Sequence, residues 1–264
     1  METRGDPSGC VAAGALRSAT ATREKMESNA GAGRGEGTDI RGLLEAIRAG
    51  RRDEVERILD ASPALLTVRG AEEPSPILLA LYHRRPEIAE EFVRRGTSLD
   101  IFEASALGDV PRVRHLLAED PASAASWASD GFFPLGLAAF FGRRDAVVAL
   151  LQAGADPNAV ARNTTRVRPL HAAAAAHDTD IVRILLEAGA DPNLPQQAGF
   201  LPLHEAASEG LAEMARILVE HGARTDAAAD DGKIPADFAR AKGHGELAAW
   251  LDPQLHASRD PTAS

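Results

Sequence analysis

The sequence holds one cysteine, Cys10, among 264 residues. That excludes an intrachain disulfide framework and a Cys-rich zinc site. Aromatic residues make up only 4% of the chain, with a single tyrosine and two tryptophans, so each ring has to be accounted for individually. No apolar run approaches the ~18–20 residues that a membrane-spanning helix needs, and no membrane partner is expected. The start, Met1-Glu-Thr-Arg-Gly-Asp-Pro7, has no apolar stretch of the signal-peptide kind. Positive charge is short as well: 29 Lys and Arg stand against 39 Asp and Glu, a net charge of −10. Phosphate backbones are bound by a basic face, so no nucleic-acid partner is expected. These absences together point to a cytoplasmic chain.

The residues of an active site are missing in the same way. No serine or cysteine stands in a Gly-x-Ser-x-Gly context. Gly31-Ala-Gly33-Arg-Gly35 precedes no Lys-Ser or Lys-Thr and follows no strand pattern, so it is no phosphate loop. His177, His221 and His244 lie a third of a repeat or more apart, without metal-ligand spacing. No catalytic residue, metal or cofactor is expected, and the chain reads as a non-enzyme. An enzyme with a pocket hidden from sequence remains the least favoured alternative.

What the chain does have is repetition. The stretch Arg168-Pro-Leu-His-Ala-Ala-Ala-Ala-Ala-His-Asp-Thr-Asp-Ile-Val-Arg-Ile-Leu-Leu-Glu-Ala-Gly-Ala-Asp-Pro-Asn193 predicts two short helices. Pro169 suits a first helical position, where its missing N–H would go unpaired anyway. Leu170, Ala173 and Ala174 form one apolar face, and Ile181, Val182, Leu185 and Leu186 form the buried stripe of a second helix. Gly189 sits where a helix ends in a left-handed conformation. Imperfect copies start at Pro134, Pro202 and Pro235; the steps from 134 to 169, 202 and 235 are 35, 33 and 33 residues.

A period near 33 built from helix, turn, helix and loop is the signature of ankyrin repeats. The words Pro169-Leu-His171, Pro202-Leu-His204, Gly154-Ala-Asp-Pro-Asn158 and Gly189-Ala-Asp-Pro-Asn193 closely resemble that family. The run as a whole also resembles bacterial ankyrin-repeat proteins without an established activity. The resemblance implies an all-α solenoid of about seven repeats, each a pair of antiparallel helices with a β-hairpin-like finger loop. It implies too that His171 and His204 tie adjacent loops together by hydrogen bonds.

In order, residues 1–38 read as a disordered N-terminal tail, because Gly, Ala, Ser, Thr and charges cannot bury enough apolar surface to offset ordering entropy. Met26 offers a second possible start. Residues 39–251 are the repeat domain and 252–264 a polar C-terminal tail. Repeat one places Leu43, Ala46, Ile47, Val55, Ile58 and Leu59 inward; repeat two carries Ile88, Phe92 and Val93. Repeat three lacks the proline, and Asp100 takes its slot only 24 residues after Pro76. The missing residues belong to the finger, so a notch is expected in the finger row, with Asp100 and Glu103 forming a capping box. The family's threonine cap is replaced by Ser75, Phe133, Arg168, Leu201 and Ile234.

By the same resemblance, residues three, six and seven after the proline slot face a concave groove. They are Leu79, Tyr82 and His83 in repeat two, Glu103, Ala106 and Leu107 in repeat three, and Leu137, Phe140 and Phe141 in repeat four. Repeats five and six offer only alanines, then Glu205, Ser208 and Glu209. Phe132 stands at a fingertip and Trp127 on the loop leading into repeat four. The candidate partner-binding residues are therefore Tyr82, His83, Leu107, Trp127, Phe132, Leu137, Phe140 and Phe141. They are read as an exposed patch, against the alternative that the rings fill the space of the absent finger. The function expected is a monomeric, non-enzymatic scaffold for a protein or peptide; an exported effector acting on host proteins is the alternative.

Overall fold

The computed structural model describes residues 36–68 and 74–252. The tails expected at 1–38 and 252–264 lie outside the described residues except at their inner ends, as do Cys10, Met26 and His256. The described residues form fourteen α-helices in seven consecutive pairs. The pairs are α1 (Glu36–Ala49) with α2 (Arg52–Ala61), α3 (Pro76–Tyr82) with α4 (Pro86–Arg94), and α5 (Ile101–Leu107) with α6 (Val110–Glu119). There follow α7 (Pro134–Phe140) with α8 (Arg144–Gln152), α9 (Pro169–Ala175) with α10 (Thr179–Glu187), α11 (Pro202–Ser208) with α12 (Ala212–Glu220), and α13 (Pro235–Ala241) with α14 (Gly245–Trp250).

Each pair packs on the next, so the first helices form one row from α1 to α13 and the second helices another. The predicted stripes are the core. Leu170, Ala173, Ala174, Ile181, Val182, Leu185 and Leu186 are all buried, as are Leu43, Ala46, Ile47, Val55 and Leu59. At ~25 cal/mol per Å² of apolar surface removed from water, this continuous row of pair-to-pair contacts holds the array together.

The helix starts follow the sequence closely. Proline opens α3, α7, α9, α11 and α13. Ser75 caps α3 by accepting from the Leu78 amide at 3.3 Å. The departures from the threonine slot have a partial remedy. The Leu201 and Ile234 amides donate to His204 Nδ1 (3.0 Å) and Asp237 Oδ2 (3.2 Å), three residues further on. Leu201 and Ile234 have no acceptor of their own, so each is half a capping box. Phe133 and Arg168 make no side-chain cap at all.

The words Gly-Ala-Asp-Pro-Asn act between pairs. Asn158 Nδ2 donates to the Gly189 carbonyl at 3.0 Å while its Oδ1 accepts from the Asp191 amide at 2.8 Å. Asn193 repeats the clamp one step along, on the Gly222 carbonyl (2.9 Å) and the Arg224 amide (2.9 Å). The fingers are tighter than the hairpins the resemblance implies. Among the described residues there is no strand, and the fingers before α7, α9, α11 and α13 each close on one short backbone bond, such as Ala128 N–H to Phe132 O (2.8 Å). Sideways bonds then join finger to finger: Arg162 N–H to Gly131 O at 2.8 Å, and Asp230 N–H to Ala198 O at 3.0 Å. Gly131 has φ +80°, and a Cβ there would stand 2.9 Å from the Arg162 carbonyl carbon, so the approach requires glycine.

Candidate functional site

The expected notch is present. Residues 95–100 join α4 directly to α5 with no finger between them. Asp100 accepts from the Glu103 amide at 2.9 Å, and Glu103 Oε2 accepts from the Asp100 amide at 3.1 Å, the full capping box.

Where the finger is missing, an aromatic side chain bridges two steps of the array. Tyr82, at the end of α3, stacks on Phe141, which follows α7, with ring centroids 5.9 Å apart and planes 24° apart. The intervening α5 carries only Ala106 at the matching place, and Ala106 is fully buried. The Tyr82 hydroxyl donates to Asp130 Oδ2 at 2.8 Å, and its ring also meets Phe132 at 6.2 Å. Burial raises the Asp130 carboxyl above the usual range, opposed by the Phe132 amide and the Tyr82 hydroxyl. Burial, with Asp130 beside it, pushes the Tyr82 phenol well up.

This arrangement corrects part of the expected patch. Tyr82, Phe132 and Leu137 keep 7%, 3% and 1% of their surface; they fill the space the absent finger leaves and present little to a partner. Phe140 and Phe141 are half-buried, packed edge to face at 5.1 Å. Leu107, His83 and Trp127 are half-buried too. Trp127 is engaged within the array: its Nε1–H donates to the Val160 carbonyl at 3.1 Å, and the Arg162 guanidinium lies 3.4 Å above its ring.

Charge varies along the first-helix row. His83 lies near Arg48 and Arg85; burial and then these two cations lower its pKa. Beyond the phenyl rings come the small Ala175 and Ala176, and then Glu205, Ser208 and Glu209, with His177 Nε2 4.0 Å from Glu209. His171 and His204 lie inside, 2% and 0% exposed. His171 Nε2 bonds the Phe200 carbonyl at 3.0 Å, tying its helix to the next finger as the resemblance implies, while His204 serves its own helix start. Burial lowers their pKa values to about 3 and about 4.

One surface was missed in the sequence. Between α4 and the α5–α6 turn lies a groove of about 560 Å³. Leu81, Val93, Leu99 and Leu107 line it, with Glu90 and Arg143 among its polar residues. Val93, one of the apolar residues of repeat two, is 41% exposed, because α6 does not close over it. The short link at 95–100 was the signal. Among the described residues no three His, Cys, Asp or Glu side chains form a group able to hold a metal. No described helix is long and apolar enough to cross a membrane.

Comparison with known families agrees with the helix pairs. A family model described as "Ankyrin repeats (3 copies)" matches residues 101–196, 135–231 and 170–257. These overlapping matches cover more than half of the chain and leave the first two helix pairs outside. No curated protein matches the chain.

Proposed function

The chain belongs to the ankyrin-repeat family, and on that premise we propose that it is a non-enzymatic scaffold that holds a protein or peptide against its first-helix row. Ankyrin repeats are generally protein–protein interaction modules and typically have no enzymatic activity. The observation that carries the reading is the partial exposure of Phe140 and Phe141. The other large apolar side chains of the same cluster, Tyr82, Phe132 and Leu137, are enclosed. Aromatic anchors dominate interface energies, and covering what remains exposed of each ring contributes roughly 0.5–1 kcal/mol. On this reading the protein acts as a cytoplasmic monomer.

Phe141 also stacks on Tyr82, so a change there disturbs packing. Phe140→Asp is the cleaner probe. The variant is expected to keep the helical circular dichroism and thermal midpoint of the parent and to lose the partners recovered by affinity purification from the native cell. A folded Phe140→Asp protein that retains the same partners would overturn the assignment.

A further inference from the structure

Three fingers carry glycine at the third residue before their proline: Gly131, Gly199 and Gly232, with φ +80°, +68° and +80°. The finger before α9 carries Arg166 at that place, with φ +51°. A left-handed backbone is costly to a residue with a Cβ, and glycine would hold the same turn with less strain. This finger is also longer than the next two: the step from Pro134 to Pro169 is 35 residues, against 33 for each that follows.

Asn163 shapes the added length. Its Nδ2 donates to the Asp130 carbonyl of the preceding finger at 3.0 Å, and its Oδ1 accepts from the Thr165 amide at 3.1 Å. The Thr165 carbonyl accepts from the Gln197 amide of the following finger at 3.1 Å. The tip is thus pinned on both sides, and Arg162 and Arg166 flank its turn, both exposed. The Arg162 guanidinium lies 3.4 Å above the Trp127 ring, and Trp127 is itself fixed by its bond to the Val160 carbonyl. A guanidinium held on a ring face keeps its edge N–H groups for a planar carboxylate.

Among the described residues neither Arg162 nor Arg166 has an ion-pair partner. Arg168, the third arginine of this finger, is engaged: it donates to the Asn158 and Pro195 carbonyls, with Asp156 and Asp191 near it. The acids of the finger row stand to either side. Asp130, on the preceding finger, accepts from Tyr82; Asp230 and Asp231 are on the finger before α13, and the finger between holds no charge. Glu72 and Glu73, which precede α3 in sequence, and the charges of both tails lie outside the described residues.

We propose that this fingertip is a second interaction surface, apart from the rings of the first-helix row, and that it takes an acidic segment of a protein partner. Carboxylates of that segment meet the Arg162 and Arg166 guanidiniums. Alternate residues of an extended chain share a face, so acids two positions apart suit two guanidiniums that flank one turn. The cationic interval is short and bordered by acids, in a chain of net charge −10. It matches one or two carboxylates better than a continuous phosphate backbone, which needs a basic track.

The test is parallel selection of a phage-displayed library of random linear peptides on the whole protein and on its Arg162→Glu, Arg166→Glu variant, checked for fold by circular dichroism. Peptides recovered by the parent alone are expected to carry Asp or Glu at alternate positions. By fluorescence anisotropy the variant should bind them about tenfold more weakly, and Phe140→Asp should bind them as the parent does. Arg166→Gly is expected to weaken them too while holding or raising the thermal midpoint, which separates the side chain from the fold. The same peptides selected on both proteins would overturn the inference and leave the scaffold reading standing; acids of this chain already seated on the tip would give that result. Arginine-dependent peptides without acids would overturn it as well. So would a fluorescein-labelled uridine oligonucleotide bound through the same two arginines more tightly than the peptides.

Discussion

The Tyr82 hydroxyl donates to Asp130 Oδ2 at 2.8 Å, across 48 positions of sequence. A side chain from the second helix pair thereby closes on the finger of the fourth, across the interval at 95–100 that has no finger of its own. Tyr82 is enclosed, so its loss leaves an acceptor with little water to turn to. Tyr82→Phe keeps the ring contacts and removes the bond. It is expected to destabilise the fold by about 1–3 kcal/mol, the cost of a buried polar group losing its partner. Asp130 keeps the Phe132 amide at 3.1 Å, which favours the lower end. Urea midpoints of Tyr82→Phe, Asp130→Asn and the double variant give the coupling; purely additive effects would mean that the bond contributes nothing.

His171 and His204 make stability fall in mild acid. Their folded pKa values, about 3 and about 4, lie below the unfolded value of 6.5. Between those limits the unfolded chain binds the additional protons, so stability is fully present above pH 6.5 and is lost as pH drops towards 4. The slope is about 1.4 kcal/mol per pH unit for each histidine. Denaturant unfolding at pH 7 and pH 5 is expected to differ by a few kcal/mol, and His171→Gln with His204→Gln should flatten the difference. A parent protein equally stable at both values would contradict the burial argument.

Much of this fold could be read from sequence because its rules are local and recur. Pro169 at a helix start, Gly189 with φ +92° at a helix end and the Leu185–Leu186 stripe each repeat at a fixed period, and the break in proline spacing exposed the Asp100–Glu103 cap. What failed was burial that depends on a neighbour. Val93 has the pattern of a core residue, yet α6 does not cover it. Phe132 and Leu137 have the pattern of exposed positions, yet both are buried, and Tyr82 reaches over from two pairs away to meet the Phe132 ring. The interval that would have warned of this was visible; which side chain would fill it was not.

His177 adopts φ +57° in the turn between α9 and α10. Gly50, Gly108, Gly142, Gly210 and Gly243 occupy the matching turn in five of the other pairs, all with positive φ, and Arg84 occupies it in the second pair with φ +56°. A left-handed conformation costs a residue with a Cβ about 1–2 kcal/mol, and glycine's greater unfolded freedom returns about 0.5–1 kcal/mol of that. The contact with Glu209 spans 4.0 Å between solvent-exposed groups and adds little. His177→Gly is therefore expected to raise stability by about 0.5–1 kcal/mol, read as a higher thermal midpoint. A lower midpoint would show that the imidazole makes a contribution beyond this geometry.

Asn158 and Asn193 carry the connection between successive pairs, and their substitution separates pair-to-pair coupling from pair stability. Each amide makes one bond as donor and one as acceptor to backbone of the following pair. Both side chains stand on loops outside the helix stripes, so Asn158→Ala is expected to leave the core intact and to remove two bonds of about 0.5–1.5 kcal/mol each. In an array held by nearest-neighbour contacts such a loss appears first as reduced cooperativity. Asn158→Ala is expected to broaden the urea transition, with hydrogen exchange quickening at the Asp191 amide, whose acceptor is gone. Asn193→Ala should move the effect one pair along, to the Arg224 amide. Uniform quickening across all seven pairs in both variants would mean that the array unfolds as one unit and that the clamps are not what couples its neighbours.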